Sequence, residues 1–75
     1  MHTYKMFEPY AAVDKPLCII EYDDNGNPFC AYKGFYRPDQ GCFKLYPVAG
    51  NFVNQKEEVK LVRDTQVIKA QMKKN

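Results

Sequence analysis

The sequence predicts an all-β domain, a small and strongly bent antiparallel sheet of four or five strands. Three observations carry that prediction. Six Tyr and five Phe occur in 75 residues, and seven of the eleven fall between positions 22 and 46, a composition that favours strands. Two short turn signals, Asp24-Asn25-Gly26 and Pro38-Asp39-Gln40-Gly41, cut that aromatic stretch into hairpin-sized pieces. A chain of this length buries only about 60% of its extended surface, which supports one core and a single domain over 1–75.

Taken in order, a short strand is predicted around His2 to Phe7, cut by Pro9. The next strand is Leu17 to Asp23, opened by Pro16. A three-residue Asp24-Asn25-Gly26 loop with Gly26 in the left-handed region pairs Asp23 with Asn27. Pro28 to Tyr36 then forms the partner strand. Strict alternation from that loop puts Cys18, Ile20, Tyr22, Cys30, Tyr32 and Gly34 on one face. Leu17, Ile19, Glu21, Ala31 and Lys33 fall on the other, so that both charged side chains reach solvent. Pro38 suits the first central position of a type I turn, and Gly41 a left-handed exit. That turn pairs Arg37 with Cys42, Tyr36 with Phe43 and Gly34 with Leu45, and sets Lys44 opposite Phe35.

The third strand of this meander, Cys42 to Tyr46, stops at Pro47. Residues 49–56 read as a loop, with Phe52 and Val53 tucked under the sheet. A further strand lies within Glu58 to Arg63. The stretch 65–72 fits two readings equally. As a strand it alternates Ile68, Ala70 and Met72 against Val67, Lys69 and Gln71. As a helix it has Asp64 or Thr65 as N-cap and an Ile68–Met72 pair. The succession of apolar strand, acidic turn, aromatic strand, short turn and third strand resembles the SH3-like small barrel. That fold class hosts protein, peptide and nucleic-acid binders alike.

Charge and residue inventory remove several functions. Eleven bases against nine acids leave a net charge of +2. That is too small for a duplex-DNA binder that neutralises many phosphates, and of the wrong sign for a DNA mimic. The basic excess sits at the C-terminal end, with six bases against three acids in 56–75 and five against six in 1–55. No apolar run is long enough for a membrane span, and no secretory signal opens the chain. A cytoplasmic protein with no membrane contact is therefore expected, with Cys18, Cys30 and Cys42 as reduced thiols.

A zinc site is not predicted, because the three cysteines stand twelve apart and His2 is the single histidine. The run Asp23-Asp24-Asn25-Gly26-Asn27 overlaps a calcium-loop pattern but lacks the closing Glu. No Ser is present, so a Ser triad is impossible, and a Cys–His dyad would have to use His2. Neither a G-x-G-x-x-G nor a P-loop occurs. The expectation is a non-enzymatic protein without cofactor or metal.

What remains is surface. Each Tyr or Phe buries about 150–250 Å², and eleven exceed what so small a core hides. Phe29 and Phe35 are predicted on the face that carries Lys33 and Lys44, with Tyr46 near an edge and Arg37 at the rim. Phe29, Lys33, Phe35, Arg37, Lys44 and Tyr46 thus form the predicted partner-binding residues, an aromatic patch fringed by cations and suited to a protein partner. Burial of Phe29 and Phe35 beneath the N-terminal segment or the tail is the competing expectation. Self-association through a sheet edge belongs to the same hypothesis. A module this short suits a modulator or inhibitor of a larger machine, encoded by a phage or mobile element. The alternative is a single-stranded nucleic-acid binder that stacks bases on the same aromatics and uses Lys69, Lys73 and Lys74 for phosphates.

Overall fold

The computed structural model describes residues 2–8, 11–48 and 58–69. It shows β1 (Thr3–Met6), β2 (Leu17–Tyr22), β3 (Pro28–Arg37), β4 (Cys42–Pro47), β5 (Lys60–Arg63), a 3-10 turn (Asp64–Gln66) and β6 (Val67–Lys69). All six strands join one strongly curled sheet in the order β5-β4-β3-β2-β1-β6, a half-barrel. Neighbours are antiparallel except β1 and β6, which run parallel. The predicted all-β, bent antiparallel architecture is what the chain adopts, with one strand more than expected. Among the described residues no helix is long and apolar enough to cross a membrane.

The concave face holds the core. Tyr4, Met6, Leu17, Ile19, Cys30, Tyr32, Phe43, Leu45 and Val62 are buried there in one cluster. Gly34 makes the curl possible. A Cβ at this position would lie 2.5 Å from Ile19 Cδ1 and 3.1 Å from Leu45 Cδ2, so only a hydrogen lets the strands close to this radius.

The β3–β4 hairpin follows the sequence prediction, with Arg37 opposite Cys42, Tyr36 opposite Phe43, Gly34 opposite Leu45 and Phe35 opposite Lys44. The β2–β3 loop also closes as predicted. The Asp23 N–H donates to the Asn27 carbonyl at 2.9 Å, and Gly26 sits at φ +80°. Asp23 Oδ1 accepts from the N–H groups of Asn25 and Asn27, each at 2.9 Å. Nothing lies within 4 Å of a Cβ built on Gly26, so a substitution there meets only the backbone penalty. Gly26→Ala is expected to cost about 1–2 kcal/mol, read as a fall of roughly 4–8 °C in Tm per kcal/mol.

The faces of β2 are the reverse of those predicted. Tyr22 pairs with Pro28, but Glu21 pairs with Cys30, so Phe29 is an extra, bulged residue on β3. A one-residue slip exchanges the two faces of a strand. Leu17, Ile19 and Glu21 therefore point into the core with Cys30, Tyr32 and Gly34. Cys18, Ile20 and Tyr22 take the outside.

At the C-terminal end, β5 enters the 3-10 turn, where the Arg63 N–H donates to the Gln66 side chain at 3.1 Å. The chain leaves the turn as β6, alongside β1 at the opposite margin of the sheet. Of the two readings of 65–72, the strand holds for Val67–Lys69, and a 3-10 turn over Asp64–Gln66 precedes it in place of the predicted helix. The positions predicted for Phe52, Val53 and residues 70–72 lie outside the described residues.

Candidate functional site

Alternation along the strands defines the outer, convex face. It carries Lys33, Phe35 and Arg37 of β3 and Lys44 and Tyr46 of β4, five of the six predicted docking residues. Lys33 lies directly across from Tyr46, and Phe35 across from Lys44, so side chains of neighbouring strands meet in pairs. The Phe35 and Tyr46 rings pack edge to face at 5.7 Å and 86°. Lys44 Nζ stands 5.5 Å from the Tyr46 ring centre. Phe35 is half-buried, Lys33 and Arg37 are exposed, and Tyr46 is 36% exposed. On β5, Leu61 stands opposite Lys44 and is 62% exposed, extending the apolar area.

Phe29 does not join this patch. The bulge turns its ring toward His2, at 4.6 Å between ring centres, and it packs against the core. This corrects its predicted place beside Lys33 and Lys44. Lys69 is exposed, but β6 pairs it with Met6 and places it at the mouth of a different recess, with Tyr36, Phe43, Asp64 and Val67. It therefore lies on the inner side of the sheet, away from Phe35 and Tyr46. Lys73 and Lys74 lie outside the described residues.

The reversed β2 creates a second feature that sequence reasoning missed. Glu21 is only 3% exposed. Tyr32 Oη donates to Glu21 Oε1 at 2.7 Å, and Lys60 Nζ donates to the same oxygen at 3.4 Å. His2 Nδ1 contacts the other oxygen. Lys60 Nζ also donates to Tyr4 Oη at 3.2 Å and stands 5.5 Å from each of the Tyr4 and Tyr32 ring centres. Burial pushes the Glu21 carboxyl up, but the hydrogen bonds from His2 and Tyr32 and the Lys60 charge outweigh it, leaving it below the usual carboxylate range. Burial, reinforced by the hydrogen bond to Glu21, holds the Tyr32 hydroxyl far above its ordinary value. Burial lowers Lys60, yet the hydrogen bond to Tyr4 and the Glu21 charge raise it overall.

These groups border a recess of about 190 Å³ together with Phe29, Cys30 and Glu58. Glu21 spends its lone pairs on three partners, so it acts as a fixed counter-charge that ties β1, β2, β3 and β5 together. It is not poised as a base. The exposed Cys18 is raised above its usual thiol value by burial and by the nearby Glu8 charge, which keeps it protonated and weakly nucleophilic. Among the described residues, no group of three or more His, Cys, Asp or Glu comes together in a way that could hold a metal ion. Comparison with protein-family models, with curated proteins and with solved structures finds no match.

Proposed function

We propose that this chain is a non-enzymatic binding module that docks a protein partner through its convex sheet face. The carrying observation is the contiguous Phe35–Tyr46–Lys44 cluster, exposed in part and flanked by Lys33 and Leu61. Rings held rigid by strand packing offer contact area at small entropic cost, and cations around them set orientation. Stoichiometric docking of this kind suits a small modulator or inhibitor of a larger assembly. Both margins of the sheet, β5 and β6, are short and bear Lys60, Arg63 and Lys69, which disfavours edge-to-edge pairing. A protein other than a second copy is therefore the preferred partner.

The test is co-purification of a tagged copy from its native cell beside Tyr46→Ser. Loss of an aromatic anchor is expected to weaken capture by about 2 kcal/mol or more. Stability should fall by about 1–2 kcal/mol, the loss of the edge-to-face contact with Phe35, which leaves the variant folded. A protein held equally well by both forms overturns the reading. So does salt-sensitive binding of single-stranded oligonucleotide that disappears in Phe35→Ala, with no protein captured.

A further inference from the structure

We infer that the partner presents an acidic protein segment, rich in Asp and Glu, to the convex face. The inference rests on the docking reading and specifies its chemistry.

The outer face carries charge of one sign. Lys5 on β1, Lys33 and Arg37 on β3, Lys44 on β4 and Arg63 on β5 all point outward by alternation from the buried Tyr4, Tyr32, Phe43 and Val62 and the partly buried Tyr36. The strands contain one carboxylate in total, Glu21. The Phe29 bulge turns it inward, where Lys60 supplies the counter-charge and Tyr32 and His2 hydrogen-bond it. Without that extra residue, Glu21 would share the outer face of the sheet with Lys33. The bulge thus leaves no strand acid on the outer side of the described strands, where four of the five cations cluster on β3, β4 and β5.

Two carboxylates outside the strands are already engaged. Glu8 accepts the Cys18 N–H at 2.9 and 3.3 Å, and Asp23 accepts two N–H groups of its turn. Asp39 lies in the turn beyond Arg37, and Asp64 faces the inner recess. Among the described residues, none of the five outward cations has an ion-pair partner. Lys33, Arg37, Lys44 and Arg63 stand on the three neighbouring strands β3, β4 and β5, two inter-strand steps or roughly 10 Å across, whereas Lys5 lies round the curl on β1. An extended acidic segment of several residues matches that span.

A single-stranded nucleic acid also offers negative charge, but it binds by stacking bases on open rings. Here two of the three rings that the strands themselves turn outward carry their own cations. Lys5 Nζ lies 4.9 Å from the Tyr22 ring centre, and Lys44 Nζ 5.5 Å from that of Tyr46. The third, Phe35, is turned edge-to-face with Tyr46. Ammonium groups seated this way keep free N–H donors for carboxylates while blocking base stacking. Geometry of this kind favours side-chain carboxylates over bases.

Fluorescein-labelled poly-L-glutamate is the probe, with oligo-dT of matched length beside it, both read by anisotropy. Wild type is expected to bind poly-L-glutamate more tightly than oligo-dT. Lys33→Glu with Lys44→Glu is expected to weaken it about tenfold, since each exposed pair contributes little on its own. Binding should also fall between about 50 mM and about 200 mM salt. Tighter oligo-dT binding, or poly-L-glutamate binding indifferent to the double reversal, overturns the inference, as does no binding of either probe. The natural partner separates the two readings. Capture lost in Tyr46→Ser but untouched by the double charge reversal leaves the docking face standing and removes the acidic segment. Capture untouched by either set removes both.

Discussion

Glu21→Leu is expected to lower stability by about 2–3 kcal/mol, and adding Tyr32→Phe to return about 1–2 kcal/mol of it. The single change leaves the buried Tyr32 hydroxyl without its acceptor, Lys60 without its counter-charge and His2 without its hydrogen-bond partner. Lys60 and His2 are each about a third exposed, so water takes up part of that loss. The Tyr32 hydroxyl has no such relief, because Tyr32 is 2% exposed. Removing the hydroxyl as well replaces an unmet polar group by an apolar one of similar shape. Chemical denaturation of the two variants measures both steps. Full stability in Glu21→Leu would show that the cluster contributes nothing.

The same cluster sets the pH profile. Glu21 titrates below its unfolded value, so its contribution is present above the ordinary carboxylate pKa of about 4.3. It is lost as pH falls through the lower folded value. Tyr32 and Lys60 are both raised. Their contributions are complete below their unfolded values near pH 10 and decline as pH rises beyond them. Stability should therefore be flat across the neutral range and fall on both sides. Glu21→Leu should remove part of the acid limb. An unchanged acid limb would assign it to other carboxylates.

Gly34→Val is the second large effect. The first added carbon already falls 2.5 Å from Ile19 Cδ1 and 3.1 Å from Leu45 Cδ2. Contacts with the ends of side chains are often relieved by rotation. Ile19 and Leu45 are both 0% exposed, which leaves them no space to rotate into. Overpacking of this kind costs about 1–3 kcal/mol, with Gly34→Ala toward the lower end and Val at or beyond the upper. Total stability for a chain of this length is about 4–11 kcal/mol, so Val removes a large share. The expected fall in Tm is roughly 10–20 °C. A Gly34→Val protein melting with wild type would mean that the sheet opens at no cost, and that the close approach does not set its curvature.

How much was legible in the residues differs from element to element. The Pro38–Gly41 turn is local, and its length dictates every pair of the β3–β4 hairpin. Lys33, Phe35, Lys44 and Tyr46 could therefore be assigned to one face from the sequence alone. The Asp24-Asn25-Gly26 loop was equally readable. The error entered at the next residue, because Phe29 carries no mark of a bulge. Alternation offered no protection. In Leu17-Cys18-Ile19-Ile20-Glu21-Tyr22 the two faces read Leu, Ile, Glu and Cys, Ile, Tyr, which are nearly equal in apolar content. The exposure of the charged residue was then the natural guide, and here it misled.

Sequence alone determined the all-β class, the hairpin turns, the β3–β4 register and the membership of the outer patch from β3 and β4. All of these follow from interactions within a few residues. Tertiary structure alone decided which face of β2 is buried. Burying Glu21 becomes favourable only when Lys60, 39 residues later, His2, 19 residues earlier, and Tyr32 converge on its carboxylate. A lone buried carboxylate is costly and a fully partnered one is tolerated. Because those partners are remote in the chain, no local pattern announces them. Yet they remove the one acid of the described strands from the outer face and leave the cations of β3, β4 and β5 there.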